Sequence, residues 1–194
     1  MLSGDAVRVA DPLFHRGNGG SIPTSPLQFK IEEIGIKKAQ QLNALWHSRL
    51  PIYETGCCLK ARVCYGAIYD GLWYAVAIWD NPTARALPQH TWLELKRLAI
   101  APDAPRNTAS RMLRIMGILI RQKFPEIDCL ISYQDIEAHR GTIYKAAGWV
   151  IGRLHRGGSW WREEQKRFRP DLNSATGPKR RWKMLIKKRK GMPK

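Results

Sequence analysis

Two apolar stretches in the second half of the chain predict neighbouring β-strands. Residues 92–100 alternate large apolar with polar side chains, as a half-buried strand does. Pro102 and Pro105 follow, and proline cannot continue a hydrogen-bonded ladder. Residues 129–133 form a short, continuously apolar run, which is typical of an interior strand. We therefore expect both strands in the core of one sheet.

A helix is predicted after each of these strands. Asn107 or Thr108 can cap the first helix, and its apolar residues recur at helical spacing: Met112, Ile115, Met116, Leu119 and Ile120. The second helix begins near His139 and should stop at Gly148, which suits the left-handed position after a helix. The order strand, helix, strand, helix predicts a parallel strand pair with a right-handed crossover.

The first half of the chain predicts antiparallel neighbours for that pair. Residues 27–33 form a short strand candidate, and residues 37–50 predict a helix. The buried side of that helix should carry Ala39, Leu42, Leu45 and Trp46. Residues 64–68 and 72–79 predict a hairpin around Asp70-Gly71. Antiparallel strands followed by a parallel pair predict an α/β fold with a mixed central sheet flanked by helices.

The start of the first of the two later helices is a candidate anion site. Amides in the first turn of a helix have no partner within the helix, and the helix dipole favours negative charge there. Arg106 lies beside these amides in the sequence, so the group could hold a pyrophosphate. An arginine next to a helix cap is also a common structural feature, and the pattern leaves both interpretations open.

Several motifs resemble known protein families. Tyr144-x-x-x-Gly148-Trp149 after a strand resembles the C-terminal signature of the GNAT acetyltransferase fold. Four ordered motifs are similar to the Mom family of phage DNA modification proteins: Leu93-Glu94-Leu95-x-Arg97, Ala104-Pro105-Arg106-Asn107-Thr108-x-Ser110, Ser132-Tyr133-x-Asp135 and Gly141-Thr142-Ile143-Tyr144-x-Ala146-Ala147-x-Trp149. Weaker similarity extends upstream to Trp46-His47-Ser48 and downstream to Trp182.

The resemblance to the Mom family implies a function. Mom proteins modify the exocyclic amine of adenine in phage DNA with a carbamoylmethyl-type group, which blocks host restriction enzymes. Their fold is GNAT-like, and acetyl-CoA and iron are the implied cofactors. One departure from GNAT enzymes is the phosphate loop, where Pro105-Arg106-Asn107-Thr108 stands in place of the usual glycine-containing sequence. An ordinary N-acetyltransferase and a non-catalytic DNA-binding protein on a GNAT scaffold are the alternatives.

The same resemblance assigns roles to individual residues. By resemblance to GNAT enzymes, Tyr144 would protonate the leaving thiolate of CoA, and Ser132 joins the catalytic candidates. Asp135 follows a strand at the end where α/β sheets bind ligands, so it could act as a base or a metal ligand. His47 would be catalytic or bind iron together with Asp135. The candidate cofactor-binding residues are Arg97, Arg106, Asn107, Thr108 and Ser110. The structural alternatives are a core aromatic for Tyr144, a helix cap for Asp135 and a solvated helix end for His47.

Charge independently favours a nucleic-acid partner. The chain has 33 Lys and Arg against 16 Asp and Glu, which gives a net charge of +17. Its last 18 residues contain no acid. The candidate contacts to double-stranded DNA are Lys179, Arg180, Arg181, Trp182, Lys183, Lys187, Lys188 and Arg189. A solvated basic tail is the alternative interpretation. Candidates for stacking on an extruded base are Tyr133, Trp149, Trp160 and Trp161.

Length and composition predict one compact domain with tails. We expect a loose arm over residues 1–26, a GNAT-like catalytic domain over 27–162 and a basic C-terminal segment over 163–194. No apolar run approaches a membrane span, and the N-terminus lacks an apolar signal core. The cysteines at 57, 58, 64 and 129 show no metal or disulfide spacing, which favours reduced thiols in a cytoplasm. The resemblance to phage proteins implies that this is the cytoplasm of a bacterial host. A homodimer is left open.

Overall fold

One mixed seven-stranded β-sheet organises the protein. The computed structural model describes residues 21–51, 53, 61–156 and 177–187. The strands are β1 (Lys30–Ile34), β2 (Val63–Tyr69), β3 (Leu72–Asp80), β4 (Trp92–Ile100), β5 (Cys129–Asp135), β6 (Val150–His155) and β7 (Lys179–Leu185). The helices are α1 (Ile36–Trp46), α2 (Thr108–Lys123) and α3 (Thr142–Ala146), after a 3-10 turn at Pro26–Gln28.

The strand order in the sheet is β1-β2-β3-β4-β5-β7-β6. Strands β4 and β5 are parallel, and every other neighbouring pair is antiparallel. The predicted hairpin is confirmed: Asp70 and Gly71 both adopt positive φ between β2 and β3, as a two-residue turn that matches the strand twist requires. The predicted mixed α/β architecture is therefore confirmed.

Helices cover the two faces of the sheet. On one face, α2 packs Met112, Met116 and Ile120 against a core that includes Trp79 and Leu93. On the other face, α1 packs its buried Ala39 and Leu42 against β2, β3 and β4. None of the described helices is long and apolar enough to span a membrane. Met112, Met116 and Ile120, whose spacing predicted α2, thus form part of its buried face.

Both smaller helices differ from their predicted limits. Helix α1 ends at Trp46 rather than near residue 50, Leu45 is 44% exposed, and Asn43 is fully buried in its place. Helix α3 spans only Thr142–Ala146, because residues 136–141 form a turn that ends in left-handed Gly141. Gly148 has φ +79°, so its predicted left-handed conformation after the helix is confirmed.

The C-terminal boundary predicted at residue 163 is wrong. Strand β7 lies inside the sheet, between β5 and β6, and pairs along its full length with β5. Residues 179–185 therefore complete the domain rather than follow it. The sequence hid this strand because four of its seven residues, Lys179, Arg180, Arg181 and Lys183, are basic. Residues 1–20, 157–176 and 188–194, which include most of the predicted arm, lie outside the described residues.

Candidate active site

The sheet opens between β4 and β5. Residues 92–95 of β4 pair with residues 129–132 of β5, and beyond Leu95 and Ser132 no pairing joins the two strands. The pairing of β3 with β4 contains a bulge. Ile78 of β3 pairs with Arg97 of β4, but the next residue, Trp79, pairs with Leu95, so Lys96 has no partner on β3. A bulge of this kind bends a strand. It leaves a wedge between the ends of β4 and β5, where backbone groups can meet a ligand.

Tyr144 lies beside this wedge, on the face of the sheet that carries α2 and α3. Its hydroxyl is 2.8 Å from Oγ of Ser132, the last β5 residue paired with β4. Tyr144 is 5% exposed, and burial raises the pKa of its phenol above the usual value although the Ser132 hydrogen bond opposes the shift. The phenol is therefore protonated at neutral pH and can donate its proton.

Aromatic rings hold Tyr144 in place. The Trp182 ring stacks on it with a centroid distance of 5.3 Å and an angle of 16°, and Trp149 meets it edge-on at 5.6 Å. Trp149 and Trp182 are 4% and 1% exposed, so both belong to the core. The predictions that Trp182 contacts DNA and that Trp149 stacks on an extruded base are wrong, because neither ring is accessible.

A buried amide ties Trp182 to the turn before α3. The Trp182 indole donates to Oε1 of Gln134 at 2.7 Å, and the Gln134 side-chain amide donates to the backbone carbonyl of His139. Gly141 completes the arrangement, because a Cβ built there would lie 2.4 Å from Gln134 Oε1 and 2.8 Å from the Trp182 ring. Its φ of +71° also suits glycine. This network fixes the direction in which α3 presents Tyr144.

A cleft of about 240 Å³ lies between the first turn of α2 and α3. Its lining residues are Ile100, Pro105, Asn107, Thr108, Ala109, Ser110, Thr142, Ile143 and Ala146. Asn107 occupies the N-cap position in a left-handed conformation, and its side chain makes no capping hydrogen bond. First-turn amides that lack a side-chain cap remain available to an anion. The predicted anion site thus coincides with a cleft that reaches the Tyr144 helix.

The predicted cofactor residues contribute unequally to this cleft. Thr108 and Ser110 line it, but their hydroxyls donate to the carbonyls of Pro105 and Asn107 at 2.6 and 3.0 Å, which leaves their backbone as the main contact. Arg106 is exposed and does not line the cleft. Arg97 lies on the opposite face of the sheet, so its assignment to the cofactor is wrong.

On that opposite face Arg97 belongs with His47 and Tyr53. The Arg97 guanidinium lies 5.3 Å from the centre of the Tyr53 ring. His47 follows α1 directly, and its Nδ1 accepts a hydrogen bond from the Leu50 amide at 3.0 Å. Burial and then the Arg97 charge lower the pKa of His47. The imidazole is consequently neutral at pH 7, with Nδ1 already engaged.

Asp135 is also on this face, since Ser132 and Asp135 point to opposite sides of β5. Its Oδ2 receives a 2.7 Å hydrogen bond from Arg49, which follows α1, and Oδ1 accepts from the amides of Glu137 and Ala138. Asp135 therefore caps a turn rather than a helix, since the N-cap of α3 is Gly141. Among the described residues no hydrogen bond joins Asp135 to His47 or Tyr144.

The described residues do not supply a metal centre. In the described part of the chain no three His, Cys, Asp or Glu side chains lie close enough together to hold a metal ion. His47 has one ring nitrogen engaged by Leu50, and the Asp135 carboxylate is engaged by Arg49 and two amides. Iron binding by His47 and Asp135 stays a prediction that this geometry does not favour.

The loop that carries His47 and Arg49 is anchored by Asn43. This fully buried side chain donates to the carbonyls of Leu50 and Pro51 at 2.9 and 2.8 Å. We expect Asn43→Ala to lower the free energy of unfolding by about 1–3 kcal/mol, because two half-buried carbonyls lose their donor and each such bond contributes about 0.5–1.5 kcal/mol. Urea denaturation measures this change. Gln40→Ala is the control, since Gln40 makes one such bond, to Tyr53; an equal loss in both variants would contradict the anchoring role.

The predicted DNA contacts fall into four groups. Lys179, Arg181 and Lys183 point to the face of β7 opposite Trp182, whereas Arg180 shares the Trp182 face. Lys187 is exposed after the strand. Lys188, Arg189, Trp160 and Trp161 lie outside the described residues. Strand β7 thus carries Lys179, Arg181 and Lys183 on one face and the buried Trp182 on the other.

Comparison with solved structures shows the fold. An IAA acetyltransferase from Bacillus cereus has 13% identity and a TM-score of 0.54, with 81% of this chain and 99% of that chain covered. A putative acetyltransferase from Salmonella typhimurium, solved with its cofactor acetyl-CoA, has 8% identity and a TM-score of 0.57 over 84% and 97%. The spermidine N-acetyltransferase from Vibrio cholerae, in complex with CoA and spermine, has 12% identity and a TM-score of 0.55 over 82% and 96%.

Sequence comparison shows the family. No curated protein matches the chain. The model of the Mom protein family matches residues 29–192, which include every strand and helix described above. The resemblance inferred from four motifs is therefore confirmed over most of the sequence. The chain belongs to the Mom protein family and has the fold of GNAT acetyltransferases.

Proposed function

We propose that this protein is a transferase that modifies the exocyclic amine of adenine in phage DNA, with an acyl-CoA-type donor, in the cytoplasm of a bacterial host. The observation that carries the proposal is the wedge between β4 and β5, with Tyr144 and Ser132 in contact beside it. Membership in the Mom family supports DNA adenine as the substrate, and the fold supports transfer from an acyl-CoA. The modified base would no longer be recognised by restriction enzymes.

The donor fits the cleft at the start of α2. A pyrophosphate can accept hydrogen bonds from the uncapped first-turn amides near Ala109, where the helix dipole also favours an anion. From there the donor can run past Thr142 and Ile143 of α3 towards Tyr144. Along this path a thioester would lie near the hydroxyl groups of Ser132 and Tyr144, which are in contact beside the wedge.

Tyr144 would serve as the general acid. Its buried phenol is protonated at neutral pH, and Ser132 fixes the direction of its hydroxyl. The amine of adenine is a weak nucleophile, because its lone pair is delocalised into the ring. A carbamoylmethyl product is bonded through a methyl carbon, whereas simple acyl transfer bonds through a carbonyl carbon. Acyl transfer balances with loss of the CoA thiolate, which would take the Tyr144 proton. A carbamoylmethyl product would need, besides the acyl-CoA, a source of the amide nitrogen and a two-electron oxidant. The identity of the product therefore reports which of these two reactions occurs.

Nucleoside mass spectrometry tests the proposal. DNA from bacterial cells that express the chain should contain a new adenosine carrying a carbamoylmethyl group, and DNA from cells that express Tyr144→Phe should lack it. An N-acetyl-adenosine, which differs from the proposed product by one NH group, would indicate plain acyl transfer to DNA. Unmodified DNA together with acetylated protein or polyamine would favour an ordinary N-acetyltransferase, the second candidate that the similar structures support.

The donor cleft can be tested separately from the chemistry. We expect Ala109→Asp to raise the Kd for acetyl-CoA at least about tenfold, since two anions about 6 Å apart repel by roughly 3 kcal/mol at an effective dielectric of 20. The same change should leave the helix equally or more stable, because α2 has no acid in its first turn and its dipole favours one. Calorimetric titration measures the affinity.

Ala109→Asn is the matched control for this experiment, since it has nearly the same size without the charge. It should bind acetyl-CoA within about threefold of the unchanged protein, because the backbone amides remain. Equal affinities for the aspartate and asparagine variants would place the donor phosphates elsewhere.

A further inference from the structure

Three cations form a row on one face of β7. Lys179, Arg181 and Lys183 alternate with Arg180 and Trp182, so they share the side of the strand that faces away from α2 and α3. Alternate residues of a strand are about 6.7 Å apart, and the row therefore spans roughly 13 Å. Opposite them on β5 lie Asp135, Tyr133 and Ile131. We call this surface the β7 face.

Aromatic rings lie beside two of these cations, Arg181 and Lys183. Burial raises the pKa of the Tyr133 phenol, and the nearby Arg181 guanidinium opposes this shift. The Tyr133 ring meets His155 edge-on at 5.5 Å. Lys183 Nζ lies 5.0 Å from the centre of the Trp92 ring. Cations held by rings lose less side-chain freedom when they bind a ligand. The β7 face is thus a prearranged set of donors rather than a row of free chains.

The charge on this face is positive and little compensated. Burial, and then the charges of Arg181 and Arg153, lower the pKa of His155, as a positive potential does. Asp135, opposite Lys179, is paired with Arg49, and Glu94 near Tyr133 is bound by Lys96 and Thr83. Both of these carboxylates therefore already have a cationic partner outside β7, and neither neutralises a β7 cation.

None of the described helices packs over the β7 face as α1 packs over β2, β3 and β4. Helix α1 packs on β2, β3 and β4 and so leaves the same side of β5, β7 and β6 to other contacts. Lys179, Arg181 and Lys183 are half-buried and hence reachable, and Arg153 beside them is exposed. A row of fixed cations with aromatic neighbours is complementary to a nucleic-acid backbone.

We propose that the β7 face binds the phosphate backbone of duplex DNA. The proposal rests on the function proposed above and adds a direction of approach. The β7 face lies on the same side of the sheet as His47 and Arg97, whereas the donor cleft lies on the other side. DNA and the acyl-CoA donor therefore reach the wedge from opposite faces of the sheet, and an extruded adenine enters beside Tyr133 and Asp135.

The salt dependence of DNA binding tests this surface. Fluorescence anisotropy with a labelled duplex should give a log Kd that varies linearly with log salt, by about 0.9 for each phosphate neutralised. The double variant Arg181→Gln, Lys183→Gln should lower that slope by about 1.8, two contacts at about 0.9 each. Lys183→Arg should keep the slope, because its charge remains. A slope unchanged in the double variant would overturn the proposal.

Two control variants distinguish contacts of the β7 face from a general effect of net charge on the salt slope. Arg180→Gln changes a neighbour on the other face of β7, and Arg121→Gln changes an exposed cation at the end of α2. Each should lower the slope by clearly less than Arg181→Gln does; equal losses would mean diffuse attraction and would overturn the assignment. Circular dichroism must show that each variant is folded. In a protein that lacks residues 188–194, the double variant at Arg181 and Lys183 should still lower the salt slope by about 1.8.

The outcomes separate this inference from the proposed function. If the protein leaves DNA unmodified but the double variant has a lower salt slope of DNA binding, the proposed function is refuted and DNA binding by the β7 face is supported. A double variant that still modifies adenine and binds with the original slope would refute the β7 face and keep the function. Tighter binding of single-stranded DNA or transfer RNA than of duplex through the same residues would overturn duplex DNA as the partner.

Discussion

Replacing Tyr144 with phenylalanine is expected to lower the rate of adenine modification by about 10²- to 10⁴-fold, the usual contribution of a positioned general acid. The reason is chemical: phenylalanine keeps the buried ring between Trp149 and Trp182 but removes the proton that would reach the leaving thiolate. The measurement is the initial rate of modified adenosine formation on a fixed duplex, at saturating donor.

Stability and binding serve as controls for this variant. Loss of the hydrogen bond between Tyr144 and Ser132 should lower the free energy of unfolding by about 0.5–1.5 kcal/mol, and DNA affinity should be unchanged. Ser132→Ala should lose less rate than Tyr144→Phe, since the phenol remains. A Tyr144→Phe protein that modifies DNA at the original rate, with reduced stability alone, would show that Tyr144 is only a core aromatic.

Replacing Trp182 with alanine is expected to lower the free energy of unfolding by about 3–5 kcal/mol, the usual loss for a large aromatic removed from a core. Trp182 is 1% exposed, stacks on Tyr144 and donates to Gln134, so alanine would leave both a cavity and an unpaired amide oxygen. Urea denaturation followed by circular dichroism measures the change. Modification should be lost as well, because α3 would no longer be held.

Trp182→Phe is the matched control, because it keeps most of the stacking surface and removes only the indole donor. We expect a loss of about 1–3 kcal/mol, the cost of leaving buried Gln134 Oε1 without a partner. If Trp182 were instead a DNA contact, both substitutions would weaken DNA binding while stability stayed constant. Measuring the Kd for duplex DNA alongside the unfolding curves decides between these two patterns.

Local sequence patterns predicted the structure correctly wherever a segment's conformation depends only on its own residues. The Asp70-Gly71 turn requires positive φ, the apolar spacing of α2 requires a buried face, and Gly148 requires a left-handed end. Each of these properties belongs to neighbouring residues, so each could be predicted without knowing the partner. The four ordered motifs likewise predicted the Mom family and with it the GNAT-like sheet, which the family match confirms.

Local patterns failed where a residue's partner is distant in sequence. Trp182 stands between Arg181 and Lys183 and resembles a nucleic-acid contact in sequence, yet strand alternation turns it into the core. The basic neighbours masked the strand, because positive charges on its other face replace the apolar residues by which strands are usually predicted. Arg97 was assigned to the cofactor by the resemblance of its motif to the Mom family, and that motif does not tell to which face of the sheet the side chain points.

The sequence by itself determined the fold class, the family and most of the side chains that could carry chemistry. Only the tertiary structure decided how those side chains are grouped: Ser132 with Tyr144 on one face, and Asp135 with Arg49 and His47 with Arg97 on the other. The physical reason is that a strand sends alternate side chains to opposite faces, while each contact depends on helices and turns supplied by other segments. The wedge between β4 and β5 likewise exists only once a bulge and a lost strand pairing meet in space.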